Sequence, residues 1–173
     1  MKSLLKALFL ATIFCTSISV YAIADMIVTF DEGAPKDRFT FTNTGDCNIQ
    51  NAKITLDLSS SKSGLIFDVT GSGAGVNVFQ PLEIVSGADA LLRIPKTKDG
   101  DNQIVFDIRM LKAGQNFAFT IDVDDTMGGS ETIVVNAEIE GAKVNFLQNN
   151  SSVSGFFDSN AGTTLPLPTC KTS

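Results

Sequence analysis

The sequence contains no histidine and no tryptophan, and its single tyrosine, Tyr21, lies near the N-terminus within a leader-like segment. Without histidine the chain lacks the usual proton shuttle near neutral pH. A Ser/His/Asp triad is excluded, and so is a Cys/His zinc cluster. The missing Trp and Tyr remove the aromatic faces best suited to stacking on sugars or bases. Cysteine is scarce (Cys15, Cys47 and Cys170), and no C-x-x-C redox spacing occurs. Paired carboxylates can hydrolyse glycosides without histidine. Here, however, only phenylalanine is available to wall a sugar cleft. These absences point away from an enzyme and toward binding or scaffolding.

The first residues have the three parts of a secretory signal. Lys2 and Lys6 form a basic start, Ala7 to Val20 is mostly apolar, and Ala22-Ile23-Ala24 is an A-x-A cleavage pattern. Cleavage is expected after Ala24, with Ala22 the alternative. The apolar run is interrupted by Thr12, Thr16 and Ser17 and is short for a span of about 20 residues. No small residue directly precedes Cys15, which argues against a lipid anchor there. The division expected is a signal peptide over 1–24, a folded domain over 25–147 and a polar C-terminal tail over 148–173. The product is secreted or extracellular, or periplasmic in a bacterium, with no membrane span in the mature chain.

The whole sequence carries a formal net charge of −6, and losing the leader removes two lysines and no acids. Such an acidic exported domain repels nucleic acid and anionic membranes and suits cations or basic partners. Cys47 and Cys170 either form a disulfide or stand as independent thiols. A bridge closing so long a loop is worth up to about 4–5 kcal/mol in the chain-entropy model.

The dominant period is two. Arg38-Phe39-Thr40-Phe41-Thr42, Ala52 to Leu58 and Phe117 to Val123 alternate cleanly between apolar and polar, the pattern of strands with one face in a core. Further strands are expected at Met26–Phe30, Ile66–Thr70, Val76–Phe79, Ile84-Val85, Ile104–Ile108, Thr132–Asn136 and Ala142–Leu147. Turn signals separate them, among them Asn43-Thr44-Gly45-Asp46 and Asp99-Gly100-Asp101-Asn102. About nine short strands so punctuated predict an all-β fold, a single antiparallel β-sandwich. The only helix-like stretch is short, near Ala88 to Arg93. From Gln148 onward, Asn, Ser, Gly and Thr dominate, which predicts a flexible tail that docks through Phe156, Phe157 and Cys170.

The sharpest constellation is Asp122-Val123-Asp124-Asp125. Asp122 and Asp124 share a face by the period-two rule, and Asp125 opens the following turn. Carboxylates gathered at a strand end suit a hard cation such as Ca²⁺, which takes six to eight oxygens in flexible geometry. Glu131 past the turn completes the candidate set, with Asp31 and Glu32 as further contributors. The spacing is not that of an EF-hand, and solvated turn acids are the competing explanation. Asp99-Gly100-Asp101-Asn102 reads as a turn, since Asp-Gly takes φ > 0 readily. Gly71-Ser72-Gly73-Ala74-Gly75 lacks the Gly-Lys-Ser/Thr ending of a phosphate loop. Asn149-Asn150-Ser151-Ser152 holds two overlapping N-x-S sequons, relevant only in a eukaryotic secretory pathway.

Several longer motifs point to a family. They are Phe30-x-Glu32-Gly33-Ala34-Pro35-Lys36-Asp37-Arg38-Phe39, Asn43-Thr44-Gly45-Asp46-Cys47, Gly64-Leu65-Ile66-Phe67-Asp68, Gly73-Ala74-Gly75-Val76, Val78-Phe79-Gln80-Pro81 and Phe119 to Thr126. Over residues 26–146 the chain resembles the bacterial aggregation factor core proteins, named for their similarity to the core protein of the marine sponge aggregation factor. The resemblance implies an extracellular β domain and calcium-dependent self-association or adhesion. It would make Asp122, Asp124 and Asp125 cation ligands. The expected partners are a second copy or a surface glycan or protein. The alternative is an extracellular carbohydrate-binding module.

Overall fold

The computed structural model describes residues 24–33, 36–71, 79–127 and 134–167. Among them are ten strands: β1 (Ala24–Asp31), β2 (Asp37–Asn43), β3 (Ile49–Asp57), β4 (Ile66–Asp68), β5 (Glu83–Ser86), β6 (Gln103–Leu111), β7 (Asn116–Asp124), β8 (Lys143–Gln148), β9 (Ser151–Phe156) and β10 (Gly162–Leu167). One sheet runs β10-β1-β2-β7-β4, with β5 also on β7, and the other runs β6-β3-β8-β9. Every pairing between named strands is antiparallel. The fold is thus the antiparallel β-sandwich that the alternation predicts. No helix among the described residues is long and apolar enough to cross a membrane. The helix-like stretch is a single 3₁₀ turn, Ala88–Ala90.

Phenylalanine builds the core because its alternate positions meet across strands. Phe39 lies opposite Phe119 and Phe41 opposite Phe117, and both pairs stack, with ring centroids 5.1 Å and 4.7 Å apart. From the facing sheet, Phe106 reaches Phe41, Phe117 and Phe119 at 5.8, 5.2 and 5.0 Å. Aromatic pairs at such separations add to the burial term. Because Phe106 meets three rings of the facing sheet, Phe106→Ala should cost about 3–5 kcal/mol. The check is a lower urea midpoint with an unchanged denaturant slope.

Residues 148–167 are not a polar tail, and 168–173 lie outside the described residues. Asn149 and Asn150 both hold φ > 0 (48° and 64°), the geometry of a type I′ hairpin turn, and they join β8 to β9. The whole of β10 then pairs with β1, from Ala24↔Leu167 to Thr29↔Gly162. Few apolar residues suffice, because only one face is covered. Phe157, Ala161, Leu165 and Leu167 are buried, while Thr164 and Pro166 face out. Pro166 is tolerated because β10 is an edge strand of its sheet.

Other expectations shift locally. β4 stops at Asp68, short of Thr70. Val134 and Val135 lie in no strand, and a turn follows them. Residues 72–78, 132, 133 and Cys170 lie outside the described residues, so the strand expected at 76–79 is described only at Phe79. Cys47 sits in the β2–β3 connection, a turn organised by buried Asn43. The Asn43 Nδ2 donates to the carbonyls of Cys47 (2.7 Å) and Leu111 (3.1 Å). Its Oδ1 accepts from Gly45 N–H at 3.2 Å.

Candidate metal centre

One edge of β7 changes partner along its length. At Ala118–Thr120 it pairs with β5, and at Asp122–Asp124 it pairs with β4, where Asp68 stands opposite Asp122. Gln80 sits at the changeover. Its N–H donates to the Asp68 carbonyl (3.3 Å), and its carbonyl accepts from Asp122 N–H (3.1 Å). Phe117, Phe119, Ile121 and Val123 point into the core. The opposite face of β7, carrying Ala118, Thr120, Asp122 and Asp124, is also covered.

Three carboxylates are therefore sealed together. Asp68 is 0% exposed, Asp122 and Asp124 are 3% exposed, and ligand oxygens of all three lie within 4.8 Å of one another. Among the described residues, no donor makes a geometrically sound hydrogen bond to either Asp68 oxygen or to Asp122 Oδ2, although the Thr70 N–H lies near enough to Asp68 to favour its charge slightly. On the same face of β7, Thr120 Oγ1 is likewise buried without a hydrogen-bond partner. Buried carboxylates without donors are costly unless a proton or a cation neutralises them.

Two further acids frame the group. Asp37, the first residue of β2 and 2% exposed, accepts from Val123 N–H through Oδ2 (3.0 Å) and from Gly33 N–H through Oδ1 (3.1 Å). Asp99 Oδ1 accepts from the N–H groups of Val69 (2.9 Å) and Thr70 (3.1 Å), just past the end of β4. Burial is the main cause that pushes Asp68 up to about 7, reinforced by the Asp99 carboxyl beside it and by Asp124. Burial, then the charges of Asp124 and Asp37, lift Asp122 to about 7. Asp37 also rises to about 7 through burial, although its two amide donors pull the other way.

Of the acids expected from the sequence, the structure brings Asp122 and Asp124 together. Asp125 follows the strand end, half-buried and outside the trio, and Glu131 lies outside the described residues. Asp31 and Glu32 are exposed. The third member is Asp68, which the sequence reading passed over. Its signal was an acid closing the apolar run Leu65-Ile66-Phe67. Asp68, Asp122 and Asp124 offer oxygen ligands only, so this buried group can hold a metal ion of the hard, oxygen-seeking kind.

No family model matches the chain, and no curated protein matches it. Two solved structures similar to it are a GH20 exo β-N-acetylglucosaminidase from Vibrio harveyi in complex with N-acetylglucosamine and an inactive mutant of that enzyme. Each is 12% identical over 79% of this chain, with a TM-score of 0.34. The chain spans 18% of either one. Likeness at that level decides neither fold nor activity.

Proposed function

We propose that this chain is a secreted, non-catalytic β-sandwich that serves as a structural or adhesion module and carries Ca²⁺ on Asp68, Asp122 and Asp124. The observation that carries the reading is the sealed trio of carboxylates within 4.8 Å of one another. Hydrolytic carboxylate pairs work in a cleft that admits a substrate. Side chains 0–3% exposed admit none, but they suit a stripped ion that ties strands together. Calcium fits better than magnesium, because Mg²⁺ gives up its waters reluctantly and demands a near-ideal octahedron. The resemblance to aggregation factor core proteins supports an adhesive setting.

The test is thermal unfolding of residues 25–173 in EDTA, then in millimolar Ca²⁺ or Mg²⁺. Calcium at 100 times its dissociation constant should add about 2.7 kcal/mol, a rise of a few degrees for a domain this size. Equal curves in EDTA and Ca²⁺ would remove the cation from the reading.

The carbohydrate-binding reading has one observation in its favour. Phe156 is 58% exposed, with Lys143 Nζ 6.0 Å from its ring centroid. Beside it, Asn145 Oδ1 accepts from the hydroxyls of Ser152 (2.8 Å) and Ser154 (3.0 Å). A ring beside a polar row suits a sugar. Binding on a glycan array that survives EDTA and is lost in Phe156→Ala would favour it.

A further inference from the structure

Asp37 does more than fill space next to the trio. β2 begins at Asp37, opposite Ile121, so β7 runs on through Asp122, Val123 and Asp124 with no β2 backbone beside it. The Asp37 carboxylate takes the place of that missing backbone by accepting the Val123 N–H. The peptide it holds joins Asp122 to Val123, within the segment that carries the two ligand-bearing residues Asp122 and Asp124. Its other oxygen accepts from Gly33 N–H, in the turn between β1 and β2. That turn is too tight for a side chain at Gly33, because an added Cβ would collide with the Lys36 carbonyl oxygen. With both oxygens engaged by backbone amides, Asp37 is a brace for the ligands and not a ligand itself.

We infer that Asp37 is a positioning residue that fixes the spacing of Asp122 and Asp124 and thereby ties cation occupancy to the β1–β2 turn. This rests on the cation reading of the trio. Groups that orient ligands without touching the metal commonly change its affinity by about 10–100-fold when removed.

The experiment compares the full chain with Asp37→Asn and Asp37→Glu. The readouts are Ca²⁺ titration calorimetry and the luminescence lifetime of directly excited Tb³⁺ in H₂O and D₂O, which counts coordinated waters. Asn removes the charge and can accept from only one of the two amides. Glu keeps the charge but displaces the carboxylate by one methylene. If Asp37 positions the ligands, both variants lose at least about tenfold in Ca²⁺ affinity, and Tb³⁺ in both carries more water. If Asp37 acts through charge alone, Glu binds like the parent with unchanged hydration, and the inference is overturned. Parent-like binding by both variants overturns it as well. A parent protein that binds neither Ca²⁺ nor Tb³⁺ sinks the cation reading itself, an outcome distinct from any variant effect. Should neither variant fold, amide exchange in the parent decides the matter. Val123 and Gly33 N–H should exchange more slowly with Ca²⁺ bound, and unchanged exchange at both refutes the coupling.

Discussion

Asp68→Asn is expected to raise the melting temperature of the cation-free protein at pH 8 and to abolish the rise that Ca²⁺ produces. The parent side chain is fully buried, and among the described residues no donor makes a geometrically sound hydrogen bond to either of its oxygens. Above its raised titration point near 7 it must carry a poorly compensated charge beside other acids, with only the Thr70 N–H acting in its favour. Asparagine is nearly the same shape, carries no charge and brings an amide that can donate to the neighbouring carboxylates. Relieving one unsatisfied buried group of this kind is worth about 1–3 kcal/mol, several degrees for a domain of this size. The same change removes one of the three anionic ligands found among the described residues, so calcium affinity should fall by more than about a hundredfold, the equivalent of about 2.7 kcal/mol. Opposite signs on stability and binding are the signature of residues kept for a ligand at the expense of the fold. Calorimetric scans of parent and variant, each in EDTA and in Ca²⁺, read both effects. A variant less stable than the parent in EDTA would show that Asp68 serves packing instead.

The second large effect is pH dependence in the metal-free protein. Asp37, Asp68 and Asp122 move from an ordinary value of 3.8 to about 7 in the folded chain. Between roughly pH 4 and pH 7 the folded state therefore holds protons that the unfolded state has released, and stability must fall as pH rises through that window. Below it, both states are protonated and the contribution is fully present. Above it, the loss is complete and the curve flattens. The expected drop is on the order of a few kcal/mol, seen as a melting temperature in EDTA that declines from pH 5 to pH 7.5. Saturating calcium, which needs the ionised carboxylates, should flatten or reverse the decline. An EDTA curve that rises over the same interval would mean that these groups are ionised at low pH and held by donors.

Much of the sandwich was legible because alternation is a direct record of a one-sided core. The runs around Phe39, Ile54 and Phe119 became β2, β3 and β7, with the phenylalanines on the shared side. Alternation says which side a residue takes, however, and not whether that side is covered. Asp122 and Asp124 were placed correctly on one face of a strand, yet that face is sealed, and this turns ordinary strand-end acids into a strained group. Asp68 was hidden for a related reason. Its strand pairs for only three residues, too few to show a period, and its proximity to Asp122 depends on a long-range pairing no local pattern contains. The C-terminal strands were missed because average composition blurs two faces into one. Gly155, Phe157, Leu165 and Leu167 are enough to cover one side while serines and threonines meet water on the other.

The pairing of β10 with β1 sets how the domain would respond to tension. Ala24 and Leu167 are opposite each other on adjacent antiparallel strands. A load applied at those two residues acts across the ladder and opens it one rung at a time, starting from that end. Because Asp37 stands near the far end of the same sheet, beside the Asp31↔Arg38 pairing, the carboxylate group would be the last region the tear reaches. A tether attached at Ala24 and Leu167 would thus yield by peeling at low force, while one attached through β7 would pull along the strand and break many hydrogen bonds together.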